Sequence, residues 1–230
     1  MRRQRLSRPP HPPTNPPCRG SRERWIKMRG LGFFGAMSAL CLTLGAAGAA
    51  ELPDPIAFLQ GRDAQAQAIV KQAPTGPLPP ALRQELDHHI NEVFDFGELS
   101  RLALGAEWDK HTAAERQRFV EVFGAIIREK NYTSFLRYYR EGKTTYQDQK
   151  VEGERATVHA AVPLKQENVT IGYLLRASQG QWRVYDLIID GASTADGYQR
   201  QYSRYLLKHP YDQLIQQLGK QLDGLRQVKN

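Results

Sequence analysis

The sequence has only two cysteines among its 230 residues, and both lie near the N-terminus, at Cys18 and Cys41. The rest of the chain therefore forms no disulfide and offers no thiol as a nucleophile or metal ligand. A metal site built on histidine is not expected either. His88 and His89 are adjacent, so they diverge around a helix and do not present one face to a metal ion.

Charge of one sign is also missing from most of the chain, although the whole sequence has a formal net charge of +8. Residues 1–50 contain nine Lys and Arg residues and a single acidic residue, Glu23. Residues 51–230 contain 23 basic and 23 acidic residues, so this part is formally neutral. We therefore expect no nucleic-acid partner for it.

The sequence has no apolar run of the ~20 residues that a membrane-spanning helix needs. Its most apolar stretch, Leu31–Leu44, follows three basic residues and precedes the small residues GAAGAA at 45–50. This order is typical of a cleaved secretory signal peptide. We predict that residues 1–50 are an N-terminal extension with a signal peptide and that residues 51–230 form a single domain.

Hydrophobic periodicity divides this domain into helices, then strands, then helices. Helical spacing of apolar residues predicts helices at Asp54–Gln72, Ala81–Phe94, Phe96–Trp108, 112–140, Thr194–Lys208 and Tyr211–Arg226. A period of two predicts strands at Thr144–Val151, Ala156–Val162, Val169–Ala177 and Gln181–Ile189. The short connections between the strands favour an antiparallel meander. The sequence therefore predicts an α+β domain in which several helices pack an antiparallel sheet of four to five strands.

Two helix starts carry recognisable caps. Thr112 and Glu115 have the spacing of a capping box. Ser193 precedes Asp196 by three residues in the same way, which favours a helix cap over a nucleophile, because Ser193 lacks a G-x-S-x-G context.

The last predicted strand has large residues on both faces. Simple alternation places Trp182, Val184 and Ile188 on one face, with Tyr185, Leu187 and Ile189 on the other. We therefore expect this strand to be covered on both sides, by helices on one and by an apolar ligand on the other.

Three stretches of the chain resemble the MlaC family, which is also known as the toluene-tolerance family. They are FGELSRLALGAEW at 96–108, TAAERQRFVEVFGAIIREKNYTSFLRYY at 112–139 and WRVYDLIIDGASTADGYQRQY at 182–202. The resemblance extends over roughly residues 53–222. It implies a periplasmic, non-catalytic protein with a deep apolar cavity that binds a phospholipid between the sheet and the helices. It also implies that this lipid is shuttled between an inner-membrane ABC-transporter-associated subunit and an outer-membrane lipoprotein complex, with no cofactor.

We expect the cavity to be lined by apolar and aromatic residues of the long helix and the central strands. The residues predicted to bind lipid are Phe123, Ile127, Tyr132, Phe135, Tyr139, Ile171, Tyr173, Val184 and Ile188.

Three alternatives stay open at this point. The ligand could be another lipid, such as a hopanoid, or the chain could be an interaction module without a ligand. Alternatively, Asp186 and the tyrosines could carry out acid–base chemistry on a hydrophobic substrate. The simpler role for Asp186 is a buried carboxylate that accepts bonds from backbone amides or pairs with Arg176 or Arg101.

Overall fold

Six α-helices and a five-stranded sheet form the part of the chain that the computed structural model describes, residues 52–164 and 167–227. The helices are α1 (Pro55–Lys71), α2 (Pro80–Val93), α3 (Phe96–Leu104), α4 (Ala113–Glu141), α5 (Thr194–Leu206) and α6 (Tyr211–Gln227). The strands are β1 (Thr145–Glu152), β2 (Arg155–Pro163), β3 (Asn168–Ser178), β4 (Gln181–Ile189) and β5 (Ala192–Ser193). In this part of the chain, no helix is both long and apolar enough to cross a membrane. The predicted signal peptide lies outside the described residues.

The five strands form one antiparallel sheet in the order in which they occur along the chain. Tight connections join β1 to β2 and β3 to β4, and the left-handed backbone of Gly153 and Gly180 allows the chain to reverse there. The predicted α+β class and antiparallel meander are confirmed. The short strand β5 was not predicted, because two residues are too few to show a period.

Helix α4 is the longest element, with 29 residues, and its start follows directly from the sequence. The Thr112 side chain accepts a hydrogen bond from the Glu115 amide, and the Glu115 carboxylate accepts one from the Thr112 amide at 2.7 Å. This reciprocal pair is the predicted capping box. Ser193 likewise caps α5 by accepting a 3.0 Å bond from the amide of Asp196.

One face of the sheet is buried and the other is partly exposed. Along β2, the buried Val158 and Ala160 alternate with the exposed or partly exposed Thr157 and His159. The expectation that the last strand is covered on both sides was therefore wrong. Arg183 and Ile188 of β4 also keep part of their surface exposed.

The predicted faces of β4 were also wrong, because the strand contains a β-bulge. Leu174 of β3 pairs with Asp186, whereas the next residue, Leu175, pairs with Val184, so Tyr185 is an extra residue in β4. Past this bulge the alternation shifts by one residue. Leu187 then pairs with Tyr173 on the inner face of the sheet, on the same side as Val184, and Ile188 lies on the outer face.

The helices and the sheet enclose several buried clusters of apolar residues. One cluster lies among α3, α4, α5 and α6 and includes Phe119 and Phe123. A second joins α1, α2 and the C-terminal part of α4, and a third packs α1 and α2 on the inner face of the sheet. Helix α4 contributes to the first two clusters, so it runs through the middle of the domain.

Candidate functional site

A cavity of about 500 Å³ lies between the inner face of the sheet and helices α1 to α5. Many of its lining side chains are apolar. Examples are Leu59, Val93, Phe94, Ile127, Ile171 and Leu187. A cavity of this size falls within the range of roughly 300–1,000 Å³ that is usual for small-molecule sites.

The cavity reaches the surface between α4 and α5. At this end its lining includes Lys130 on α4 and Gly197 and Gln201 on α5, and all three are exposed. Arg128, Asn131 and Ser134 of α4 add further polar groups on the lining. The surface end of the cavity is therefore polar, and the apolar surface lies behind it.

A second polar group lies at the opposite, inner end and is centred on Asp63 of α1. The hydroxyl of Tyr146 donates to Asp63 Oδ2 at 2.7 Å, and that of Tyr139 donates to Oδ1 at 3.3 Å. Thr144 also bonds to this carboxylate. These bonds connect α1 to α4 and β1, which lie more than 70 residues farther along the chain.

Burial controls the protonation of this inner group. It raises the pKa of the Asp63 carboxyl above its ordinary value, and the bonds from Tyr146, Thr144 and Tyr139 only partly oppose that shift. Burial also lowers the pKa of the neighbouring His89 imidazole, whose Nε2 lies 2.9 Å from the carbonyl oxygen of Arg62. The neutral form of the imidazole is therefore favoured, and its Nε2–H donates to that carbonyl.

Asp186 borders the cavity, but its carboxylate is already bonded. Oδ1 accepts from the backbone amides of Leu187 at 2.8 Å and Ala195 at 2.9 Å, and Oδ2 accepts from Ser193 Oγ at 2.6 Å. These bonds hold β4 to the start of α5. The expected bonds to backbone amides are present, but the expected arginine partners are wrong. Arg176 pairs with Asp95 and Glu98, and Arg101 pairs with Glu98.

Five of the nine residues predicted to bind lipid border this cavity. They are Ile127, Phe135, Tyr139, Ile171 and Tyr173. The other four, Phe123, Tyr132, Val184 and Ile188, do not line it.

Each of these four residues has another place in the fold. Phe123 is fully buried in the helical cluster, with its ring 4.9 Å from that of Tyr198. The Tyr132 hydroxyl accepts a 2.9 Å bond from the Leu78 amide, and Arg83 lies 3.7 Å above its ring.

Val184 packs with Trp182 beneath α1 and α2. Ile188 lies on the outer face, where it covers Gly172 so closely that a Cβ on that glycine would come within 3.3 Å of the Ile188 Cβ.

Asp63, His89, Leu187 and Arg128 also line the cavity and were not predicted from the sequence. Asp63 lies in a helix rich in Ala and Gln and gives no periodic signal, and its partners are distant in the chain. Within residues 52–164 and 167–227, no group of three His, Cys, Asp or Glu residues is arranged to hold a metal ion.

Comparison with known proteins places this fold in a family. A sequence profile described as the MlaC protein matches residues 63–220, which is more than half of the chain. The chain belongs to the MlaC family. The matched region of this MlaC-family chain begins at Asp63 and contains all of the cavity lining except Leu59 and Arg62.

Two individual proteins are similar to this MlaC-family chain. One, from Haemophilus influenzae, is 26% identical over 155 residues, which cover 65% of this chain and 70% of the relative. It is named intermembrane phospholipid transport system binding protein MlaC.

The other is a solved structure of a phospholipid-binding protein from Ralstonia solanacearum, in complex with a phospholipid. It aligns with a TM-score of 0.66 at 20% identity, and the alignment covers 76% of this chain and 99% of that one. This likeness supports the α+β fold.

Proposed function

We propose that this protein is a non-catalytic carrier that binds a phospholipid with its acyl chains in the cavity. The observation that carries the proposal is the apolar cavity between the sheet and α4, which opens at a polar end, in a chain of the MlaC family. The Haemophilus relative is named as a phospholipid transport binding protein, and the Ralstonia structure holds a phospholipid. Both names describe the ligand class that this cavity suits.

Physical scale supports a tightly held ligand. Removing a CH₂ group from water contributes ~0.8 kcal/mol, so two ~16-carbon chains contribute roughly 25 kcal/mol before any costs. Net binding free energies do not go beyond about −18 to −21 kcal/mol, so the costs of ordering and reorganisation offset part of this gain. Release into water is then very slow. A carrier of this kind has to pass its lipid directly to another apolar site.

Direct transfer requires docking to lipid-handling partners at each membrane. We infer that the protein receives and delivers its lipid at an inner-membrane ABC-transporter-associated subunit and at an outer-membrane lipoprotein complex. Cleavage of the signal peptide in residues 1–50 would release residues 51–230 into the periplasm as one domain. No cofactor is needed for this cycle, because no bond in the ligand is made or broken.

The hydrogen bonds of Asp186 favour a lipid carrier over an acid–base enzyme. A general base needs a free lone pair directed at its substrate. In this protein, three of the roughly four acceptor positions of the Asp186 carboxylate are occupied by bonds from Leu187, Ser193 and Ala195. We therefore assign Asp186 a structural role.

Native mass spectrometry with lipid extraction tests the proposal. The full chain is exported from a Gram-negative host and purified from the periplasm without detergent. We expect one phospholipid per protein molecule and transfer of that lipid to acceptor vesicles. A stoichiometric hopanoid would identify a carrier of another lipid class. A protein that purifies empty and takes up nothing from vesicles would be no carrier.

A further inference from the structure

Two cations of α4, Arg128 and Lys130, line the cavity on opposite flanks of the helix stripe that faces it. Successive residues of an α-helix are rotated by about 100°. On this basis Ile127, Asn131 and Ser134 share the centre of the stripe that faces the cavity, whereas Arg128 and Lys130 lie on its two flanks. All five residues line the cavity.

Each of these cations rests on an aromatic ring of a neighbouring helix. The Arg128 guanidinium lies 5.0 Å from the centre of the Phe96 ring at the start of α3. Lys130 Nζ lies 5.6 Å from the centre of the Tyr198 ring on α5. Cation–π contacts orient a charged group but leave its other donors available. A positive charge therefore lies on each flank of the stripe of α4 that lines the cavity.

Arg128 has no carboxylate partner among the described residues. Its Nη1 donates to the neutral side-chain oxygen of Asn91 at 2.9 Å, and the described ion pairs do not include it. The charges of Asp87 and Glu129 act on Arg128 from a distance, but Arg83 pairs with both of them at 3.0 Å. Among the described residues, therefore, no carboxylate forms an ion pair with Arg128 itself.

A cation that no carboxylate pairs with directly is costly in this position. Arg128 is partly buried, and burial lowers the pKa of its guanidinium below its ordinary value, even though Asp87 and Glu129 oppose that change. Proteins normally pair a charge of this kind with an anion. A guanidinium suits a phosphate especially well, because its N–H groups match two phosphate oxygens at once.

We propose that Arg128, with Lys130 on the opposite flank, binds the phosphate of the lipid headgroup at the cavity opening. This inference rests on the proposed function, because it needs the acyl chains to occupy the apolar interior. The five N–H donors of Arg128 bind the phosphate oxygens, and Lys130 adds a point charge from the side of α5. The protein then selects lipids that carry a phosphate over neutral lipids with the same chains.

A competition between two lipids that differ in the headgroup phosphate tests this inference. Phosphatidylcholine vesicles carry equal trace amounts of isotopically labelled phosphatidylglycerol and labelled diacylglycerol with identical chains. The full chain, purified from the periplasm, is incubated with these vesicles, and native mass spectrometry gives the ratio of the two labelled lipids on the protein. The variants are Arg128→Gln, Arg128→Lys and the matched control Arg118→Gln, which removes an exposed charge of α4 that does not line the cavity.

We expect the wild-type protein to bind phosphatidylglycerol in excess over diacylglycerol. A hydrogen-bonded pair with a charged group corresponds to between about tenfold and a hundredfold in a binding ratio, so Arg128→Gln should lower the ratio by that factor. Arg128→Lys should keep only part of the preference, because the charge remains but the paired N–H groups do not, and Arg118→Gln should keep all of it. Uptake of diacylglycerol by Arg128→Gln shows that this variant is folded.

Four outcomes are decisive. An unchanged ratio in Arg128→Gln, or an equal fall in Arg118→Gln, would overturn the phosphate site while leaving the carrier function intact. A wild-type protein that takes up neither lipid would instead refute the carrier function itself. Added inorganic phosphate separates a lipid headgroup site from a free-phosphate site. We expect it to leave the ratio unchanged, because it has no chains to anchor it, and a loss of the preference would reassign Arg128 to a free anion.

Discussion

Two phenylalanines of α4 should respond to truncation in opposite ways. Phe123 is fully buried and contacts Phe119, Tyr198 and Tyr202 at ring distances of 4.9–5.8 Å. Truncating a core phenylalanine to alanine typically costs about 3–5 kcal/mol. We expect Phe123→Ala to lose an amount in this range from the free energy of unfolding. The lipid bound per folded molecule should stay near the wild-type value, because Phe123 does not line the cavity.

Phe135 lies three turns farther along the same helix and borders the cavity. Full burial of such a side chain contributes about 1.5–3 kcal/mol, and Phe135 is only partly buried, so Phe135→Ala should cost about 1–2 kcal/mol in stability. Its main effect should be a faster loss of bound lipid to acceptor vesicles, because an acyl chain loses contact surface.

Urea denaturation and native mass spectrometry on both variants give the two readouts. The assignment of cavity and core residues would be refuted if Phe123→Ala lost lipid at near wild-type stability. It would also fail if Phe135→Ala unfolded as easily as Phe123→Ala while retaining its lipid.

Three further changes test other parts of the structure. Asp186→Asn should cost about 1–2 kcal/mol, because a neutral amide replaces the charged acceptor and its nitrogen cannot accept the bond from Ser193, and lipid binding by the folded protein should persist; denaturation at an unchanged urea midpoint would contradict this structural role. Asp63→Asn should gain stability relative to wild type as pH rises above about 4. The folded wild type binds the Asp63 proton more tightly than the unfolded state does, so ionisation of Asp63 destabilises the fold. Unfolding curves that keep a constant difference between pH 4 and 8 would exclude this. Gly105→Ala should cost about 1–3 kcal/mol of stability, because φ is +56° and the new Cβ would come within 2.5 Å of Gln199 Nε2. Its control is Gly61→Ala inside α1, where the new Cβ meets no atom within 4 Å. This control should gain about 0.5–1 kcal/mol of stability, measured for both variants by thermal unfolding.

The sequence was sufficient to predict most of the elements, because their signals are local. The capping box at Thr112, the cap at Ser193 and the change of period at Thr144 each depend on neighbouring residues. Short strand connections then leave few topologies, so the antiparallel order followed. The family profile over residues 63–220 confirmed the resemblance that the longer stretches suggested.

Side-chain environments were harder to predict, because they depend on distant partners. Phe123 and Phe135 belong to the same apolar helix, and periodicity does not reveal that α5 and α6 cover the first while a cavity borders the second. Leu187, and not the predicted Ile188, lines the cavity because β4 contains one extra residue. This bulge becomes visible only in the pairing of β4 with β3. Asp63 was missed for the same reason, since its hydroxyl partners come from α4 and β1.

The single long helix α4 also limits which elements can move when a ligand enters the cavity. Its lining residues extend from Ile127 beside the opening to Tyr139 beside the Asp63 group, and the helix is unbroken between them. This span is about 18 Å at 1.5 Å per residue. An uninterrupted helix is stiff, so this wall keeps its length and direction when the volume behind it changes. Expansion to admit a ligand then depends on the elements packed against α4, and the bonds at Asp63 and Asp186 limit how far α1 and the start of α5 can move.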